Sequence, residues 1–327
     1  MKIKIISLFV LVFAGASFSA PPPEPGEITQ FFDTKTKSYI TPDQLQERLE
    51  AADALYIGES HDQAECHIAQ LKAIMGLNEV RQGKVAVGFE MLNSTLQPIL
   101  DEYAEGKISD EEFLEKANWK KEWGFDFKLY EPIFSYIRRN KLKALALNVP
   151  RKIVSKTARG GLKALTEEEK KLTAKKVKIN KDKKYVAYLR ETYGGHGDNP
   201  MNRIMTFDNY LASMAVWNES MAEKAADFLN ANKGWAFAVV AGNGHVQYNA
   251  AIPWSVKKRT KKLNHLSIYT EDLANRASFV RNPEPLADII WFVPFEKKAE
   301  PKVEVSTAAP AMPSMPAKTE TPPGSEK

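Results

Sequence analysis

Cysteine is almost missing from this chain. Cys66 is the only one, so no disulfide can form within the chain and stability must come from a packed core. Long apolar runs are missing too: the stretch at residues 5–13 is far below the ~20 residues a membrane helix needs, and no later run approaches that length. Neither sign of charge dominates. With 46 Lys and Arg against 41 Asp and Glu, the balance gives no reason to expect a nucleic-acid partner.

The two ends have a character of their own. "MKIKIISLFVLVFAGASFSA" places Lys2 and Lys4 ahead of the apolar stretch and small residues after it, the layout of a secretory signal peptide. Residues 1–19 are therefore expected to be removed, and the protein exported to the periplasm or cell envelope. No cysteine stands at the cleavage region, so a lipid anchor is not expected. Residues 20–26 form a stiff Pro-rich linker. Residues 297–327 are rich in Pro, Ala, Lys and Glu without one aromatic, a composition that cannot repay the entropy of ordering, so a disordered tail is expected there.

Between the ends, short apolar runs alternate with segments of helical character, which predicts an α/β fold: a mainly parallel sheet with flanking helices. The runs are "ALYIG" (54–58), "VAVGFEM" (85–91), "LKALALNV" (142–149), "WAFAVVAG" (235–242), "LSIYT" (266–270) and "IIWFVPF" (289–295). "DQAECHIAQLKAIM" has Asp62 as its N-cap candidate, and in "SDEEFLEKA" Ser109 and Glu112 have capping-box spacing. The distance from Val149 to Trp235 far exceeds one crossover. The expectation is an α/β core at 27–150 and 235–296 interrupted by a helical insertion, a lid subdomain, at 151–234. Its first part, 151–190, carries fourteen Lys or Arg against four Asp or Glu, the composition of a solvated helix face. Its second part has Met201, Ile204, Leu211, Met214 and Met221 at helical spacing.

In open parallel sheets, ligands bind beyond the carboxyl ends of the strands, where loops converge. The first run ends in Gly58, Glu59, Ser60 and His61, the second in Glu90, the third in Asn148, Pro150 and Arg151, and the fourth in "GNGH", Gly242 to His245. If these strands are neighbours, two carboxylates, two imidazoles and a guanidinium share one cleft. Apolar neighbours imply that Glu90 is buried, and a buried carboxylate needs a partner. Gly58, Gly242 and Gly244 permit positive φ or close backbone approach. Glu59, His61, Glu90 and His245 suit a divalent metal; alternatively His and Glu act on water as acid and base without one, with Arg151 orienting an anion or stabilising an oxyanion. The spacing is not that of the HExxH zinc helix. Covalent haem attachment through "ECH" is excluded because position 63 is Gln. Cys66 has the spacing of a small core residue, and His67 is a secondary candidate.

The motifs "IGESHDQAECH", "VAVGFEML", "LALNVPRKIV", "NYLASMAVWNESMA" and "VVAGNGHVQYNAAIPW", in this order, resemble the ChaN-like family of haem-binding uptake proteins, grouped with the Tiki, TraB and erythromycin esterase proteins. The likeness runs from about residue 27 to 295. It carries Gly58, Glu59, His61, Glu90, Asn148, Arg151, Gly242 and His245, and implies a parallel α/β core with a helical subdomain that binds haem in iron acquisition at the cell envelope. It further implies a homodimer and envelope haem-transport components as partners. The likeness carries no haem ligand; since haem iron can be held by Tyr or His, Tyr193, His196 and Tyr210 are the ligand candidates. Met205, Met214 and Trp217 would cover the porphyrin, and the basic stretch would meet its propionates. The alternative is a hydrolase, metal-dependent or relying on Glu and His alone, of the Tiki or erythromycin esterase type.

Overall fold

The computed structural model describes residues 30–194 and 205–296. Its strands are β1 (Gln30–Asp33), β2 (Ser38–Ile40), β3 (Ala54–Glu59), β4 (Val85–Asn93), β5 (Lys143–Asn148), β6 (Ala236–Gly242), β7 (His265–Asp272) and β8 (Ile289–Val293). They form one sheet in the order β2-β1-β8-β7-β3-β6-β4-β5, parallel from β8 to β5 and antiparallel at the β1 and β2 edge. All six apolar runs are strands. The β1–β2 hairpin was not foreseen, because QFFD and SYI are too short to show a period.

Every residue of β3, β4 and β6 is buried, which is why these strands have continuous apolar runs rather than alternation: helices cover both faces of the sheet. The helices are α1 (Pro42–Ala51), α2 (Ala64–Arg81), α3 (Gln97–Ala104), α4 (Asp110–Lys116), α5 (Trp119–Glu122), α6 (Glu131–Asn140), α7 (Arg151–Gly160), α8 (Glu167–Lys171), α9 (Lys183–Gly194), α10 (Phe207–Ala231), α11 (Ile252–Arg259) and α12 (Arg276–Arg281). Leu55, Ile57, Val87 and Phe89 pack with α1 to α6 on one face. Ala54, Tyr56, Phe237 and Val239 pack on the other with Met221, Ala222 and Ala225 of α10 and with α11. Gly88 leaves room in the second layer: a Cβ there would come within 2.7 Å of the Phe237 ring and 2.5 Å of Leu147.

The capping box of Ser109 and Glu112 is formed. The N-cap of α2 falls on Gln63, one residue beyond the expected Asp62. Cys66 is a core residue, its Sγ 3.2 Å from the Thr270 hydroxyl and its thiol pushed up by burial to about 11. The helical stretch after β5 comprises α7 to α10. Within it, Met221 packs on the sheet, while Leu211 and Met214 join a separate small cluster with Tyr185 and Leu189. His196, Met201 and Ile204, like the signal-like residues 1–19, the linker and the tail, lie outside the described residues. No described helix is long and apolar enough to cross a membrane.

Candidate functional site

The order β3-β6-β4-β5 makes the four strand exits consecutive neighbours. Glu59 and Gly242 are register partners at the ends of β3 and β6, so the turns after those strands leave the sheet side by side. His61 Nδ1 meets Glu59 Oε1 at 2.5 Å, and Glu59 is 2% exposed. One strand over, buried Glu90 takes His245 Nε2 at 3.1 Å on Oε1 and the Gly242 N–H at 2.7 Å on Oε2. The other His245 nitrogen, Nδ1, faces Asn218 Oδ1 at 2.6 Å. Asn218 Nδ2 in turn donates to the Tyr185 hydroxyl at 3.0 Å. Asn148 donates to the Glu90 carbonyl at 2.7 Å, bracing the end of β4.

Gly242 has φ −61° and ψ 150°, a conformation open to any residue, so its glycine is not needed for a turn. It is needed for space. A Cβ at this position would stand 2.8 Å from His61 Cε1 and 3.1 Å from Nε2. The strand end is thus a cradle that brings the two imidazole–carboxylate pairs within one field. Burial alone would lower the His61 imidazole; the hydrogen bond and charge of Glu59, with Glu90 and Asp62 beyond, outweigh it and raise the group to about 9. Burial would raise Glu90, but the charge and hydrogen bond of His245, then His61 and the Gly242 N–H, bring it down to about 2. At neutral pH His61 is therefore an imidazolium and Glu90 a carboxylate.

A cleft of about 350 Å³ opens over this wall, within the size range of small-molecule and cofactor sites. His61, Glu90 and Arg151 line it together with Met205, Tyr210, Met214 and Trp217. His61, Glu90 and Arg151 from the strand ends and Met205, Tyr210, Met214 and Trp217 from the expected lid therefore face one cavity, while Glu59 and His245 do not line it. Trp217 stands edge-on to His245 with centroids 5.3 Å apart, and Trp123 and Phe125 cover His61 at 4.8 and 5.0 Å. Burial raises the Tyr210 phenol, partly offset by its hydrogen bond with Thr192 at 3.0 Å. Arg151 is the first residue of α7 and exposed; its guanidinium donates to the Lys121 carbonyl at 3.4 Å.

Other expectations need correction. Tyr193 does not line the cleft; its hydroxyl donates to the Met205 carbonyl at 2.6 Å and its ring lies against Tyr210, a supporting position. Among the described residues, no group of three or more His, Cys, Asp or Glu is placed to hold a metal ion. Glu59, His61, Glu90 and His245 instead form two hydrogen-bonded pairs, with Glu90 also accepting from a backbone N–H and the second Glu59 oxygen buried without a partner among the described residues. His67 is buried beneath the site between Gln70, the His61 carbonyl and Tyr130, out of a ligand's reach. The residues missed were Trp123, Phe125 and Asn218. The aromatic cluster in "WGFDF" was a visible signal; the role of Asn218 had none, since it depends on α10 lying beside β6.

A family model described as haem-binding uptake, Tiki superfamily, ChaN matches residues 45–256. Among solved structures, ChaN of Campylobacter jejuni, described as binding heme cofacially, aligns with a TM-score of 0.63 at 20% identity over 84% of this chain and 100% of that one. At that identity the likeness is one of fold. An erythromycin esterase mutant in its open conformation aligns at 0.43 and 15% identity over 73% of this chain and 76% of that one, too loosely to carry an argument. In Arabidopsis thaliana, the chloroplastic protein RETICULATA-RELATED 5 is 23% identical over 75% of this chain. The chain spans 35% of the length of that curated relative.

Proposed function

This chain belongs to the haem-binding uptake family ChaN of the Tiki superfamily, and from that premise we propose that it binds haem as cargo in the cleft over the strand ends. The observation that carries the proposal is the shared cavity: Met205, Met214 and Trp217 meet His61, Tyr210 and Arg151 in one space. The donor set fits the group. Trp217, Trp123, Phe125 and the methionines offer apolar faces for a porphyrin, while Tyr210 is the iron-ligand candidate that lines the cleft and Arg151 supplies a cation. Haem would bring an iron centre to be carried, and the chain's own part is to cover the ring and exclude water. Export to the envelope, pairing of two copies and delivery to transport components belong to the same proposal, supported by the signal-like residues 1–19 and the family.

The test is a titration of the protein with haem, following the Soret band. Saturable binding at a fixed ratio, weakened by Tyr210→Phe and Trp217→Ala, is expected. Absence of saturable binding to the unaltered chain overturns the proposal.

A second reading rests on a separate observation, the two imidazole–carboxylate pairs on one wall of the cleft. Such pairs can move protons to and from a water molecule, which is hydrolytic chemistry without a metal. It predicts ester turnover that His61→Ala abolishes. If the unaltered chain turns over none of a panel of esters, this second reading fails.

A further inference from the structure

The apolar cleft does not end at Arg151. Asn93, Glu122, Arg151 and Ser155 line both the cleft and a second, adjoining groove of about 660 Å³. The groove's other charged residues are Lys116, Lys121 and Lys152, so four cations face a single carboxylate, Glu122. Lys116 is neutralised by Glu102 at 2.9 Å. Arg151, Lys121 and Lys152 have no ion-pair partner among the described residues.

Two further features of the groove lack an anion. Helix α7 begins there, and its first turn holds no acidic residue; Arg151 and Lys152 occupy it, behind a Pro150 N-cap that has no capping side chain. Cations at the positive end of a helix are unfavourable, and the free N–H groups of that turn favour negative charge. Independently, Asn93 sits nine-tenths buried where cleft and groove meet. Its Oδ1 accepts from the Thr95 N–H at 3.1 Å and hydroxyl at 2.6 Å, while its amide N–H group has no partner among the described residues and is left for the cavity it lines.

We infer that this groove is the anion subsite of the cleft, and that the ligand enters with its carboxylate edge against Lys121, Lys152, Arg151, Asn93 and the α7 N-terminus while its apolar ring fills the space beside Trp217. The inference rests on the haem reading and specifies orientation: both propionates lie in the groove, where cations stand without partners, and not against the strand-end wall, whose carboxylates and imidazoles are already paired with one another. The cations that meet the carboxylates are then these three and not the lysines of residues 156–190.

The full chain and its Lys121→Glu/Lys152→Glu double variant are titrated with haem and with haem dimethyl ester, following the Soret band at low and moderate salt. Both side chains are exposed and unpaired, so the fold is retained, as circular dichroism checks. Charge reversal should weaken haem binding at least about tenfold, the equivalent of one lost charge-assisted contact, and leave the ester's affinity unchanged. Added salt should weaken haem more than ester in the unaltered chain. Equal haem affinity for both proteins, or equal losses for haem and ester, overturns the inference and leaves the haem reading standing. An unaltered chain that binds neither compound overturns the haem reading itself.

Discussion

Gly242→Ala isolates the cradle with one methyl group. The backbone at 242 tolerates alanine, so no conformational strain enters. The new Cβ would meet His61 Cε1 at 2.8 Å, whereas carbon atoms rest at about 3.5–4.0 Å, so the ring must retreat by roughly 1 Å. Retreat from the strand end lengthens the 2.5 Å contact with Glu59 past the ~3.2 Å limit of a good hydrogen bond. Without that bond, burial is opposed only by the weakened charges of Glu59, Glu90 and Asp62, and the His61 imidazole should fall from about 9 toward its free value of 6.5. That gap corresponds to roughly 3 kcal/mol, which solvent screening of the partly exposed ring reduces to about 1–2 kcal/mol.

The sign follows from linkage. A group raised on folding stabilises fully below its unfolded value and loses that contribution as pH rises through its folded value. Unaltered protein should therefore exceed the variant in stability most below pH 6.5, and the excess should shrink as pH passes about 9. About 1 kcal/mol of overpacking would remain at all pH values. The assay is NMR titration of the imidazole Cε1–H signals, assigned by His61→Gln, alongside urea unfolding across pH 6 to 10. A titration midpoint still near 9 in the alanine variant would refute the cradle.

Glu90→Gln leaves buried His245 without its anion and should cost about 3 kcal/mol at pH 7, measured by urea unfolding. Because Glu90 is lowered on folding, its contribution is present above pH 4.5 and lost as pH falls through about 2, so the variant's deficit should close over that range. Gly88→Ala adds a methyl against Phe237 and Leu147 and should cost about 1–3 kcal/mol, seen as a lower Tm, with the His61 titration unmoved.

Much of the fold was legible because parallel strands buried on both faces are written as continuous apolar runs: all six such runs became strands. The strand-end residues were legible for a related reason, since polar and glycine residues immediately after an apolar run mark where chain leaves a sheet. The β1–β2 hairpin was not, because three- and four-residue strands at a sheet edge carry no period. The metal expectation found no support among the described residues, because residue type and proximity do not distinguish carboxylates that share a cation from carboxylates each paired with an imidazole.

What the sequence determined alone is the six long strands and the identity of the strand-end polar side chains, both governed by local pattern: apolar runs and the residues that follow them. Strand order decided the rest. Placing β6 between β3 and β4 brings Gly242 against His61 and Glu90, and the passage of α10 over the strand ends sets Asn218 beside His245 and Trp217 over the cleft. These juxtapositions join residues 27 to 181 positions apart in the chain, and contacts so distant leave no mark on the local pattern of either partner.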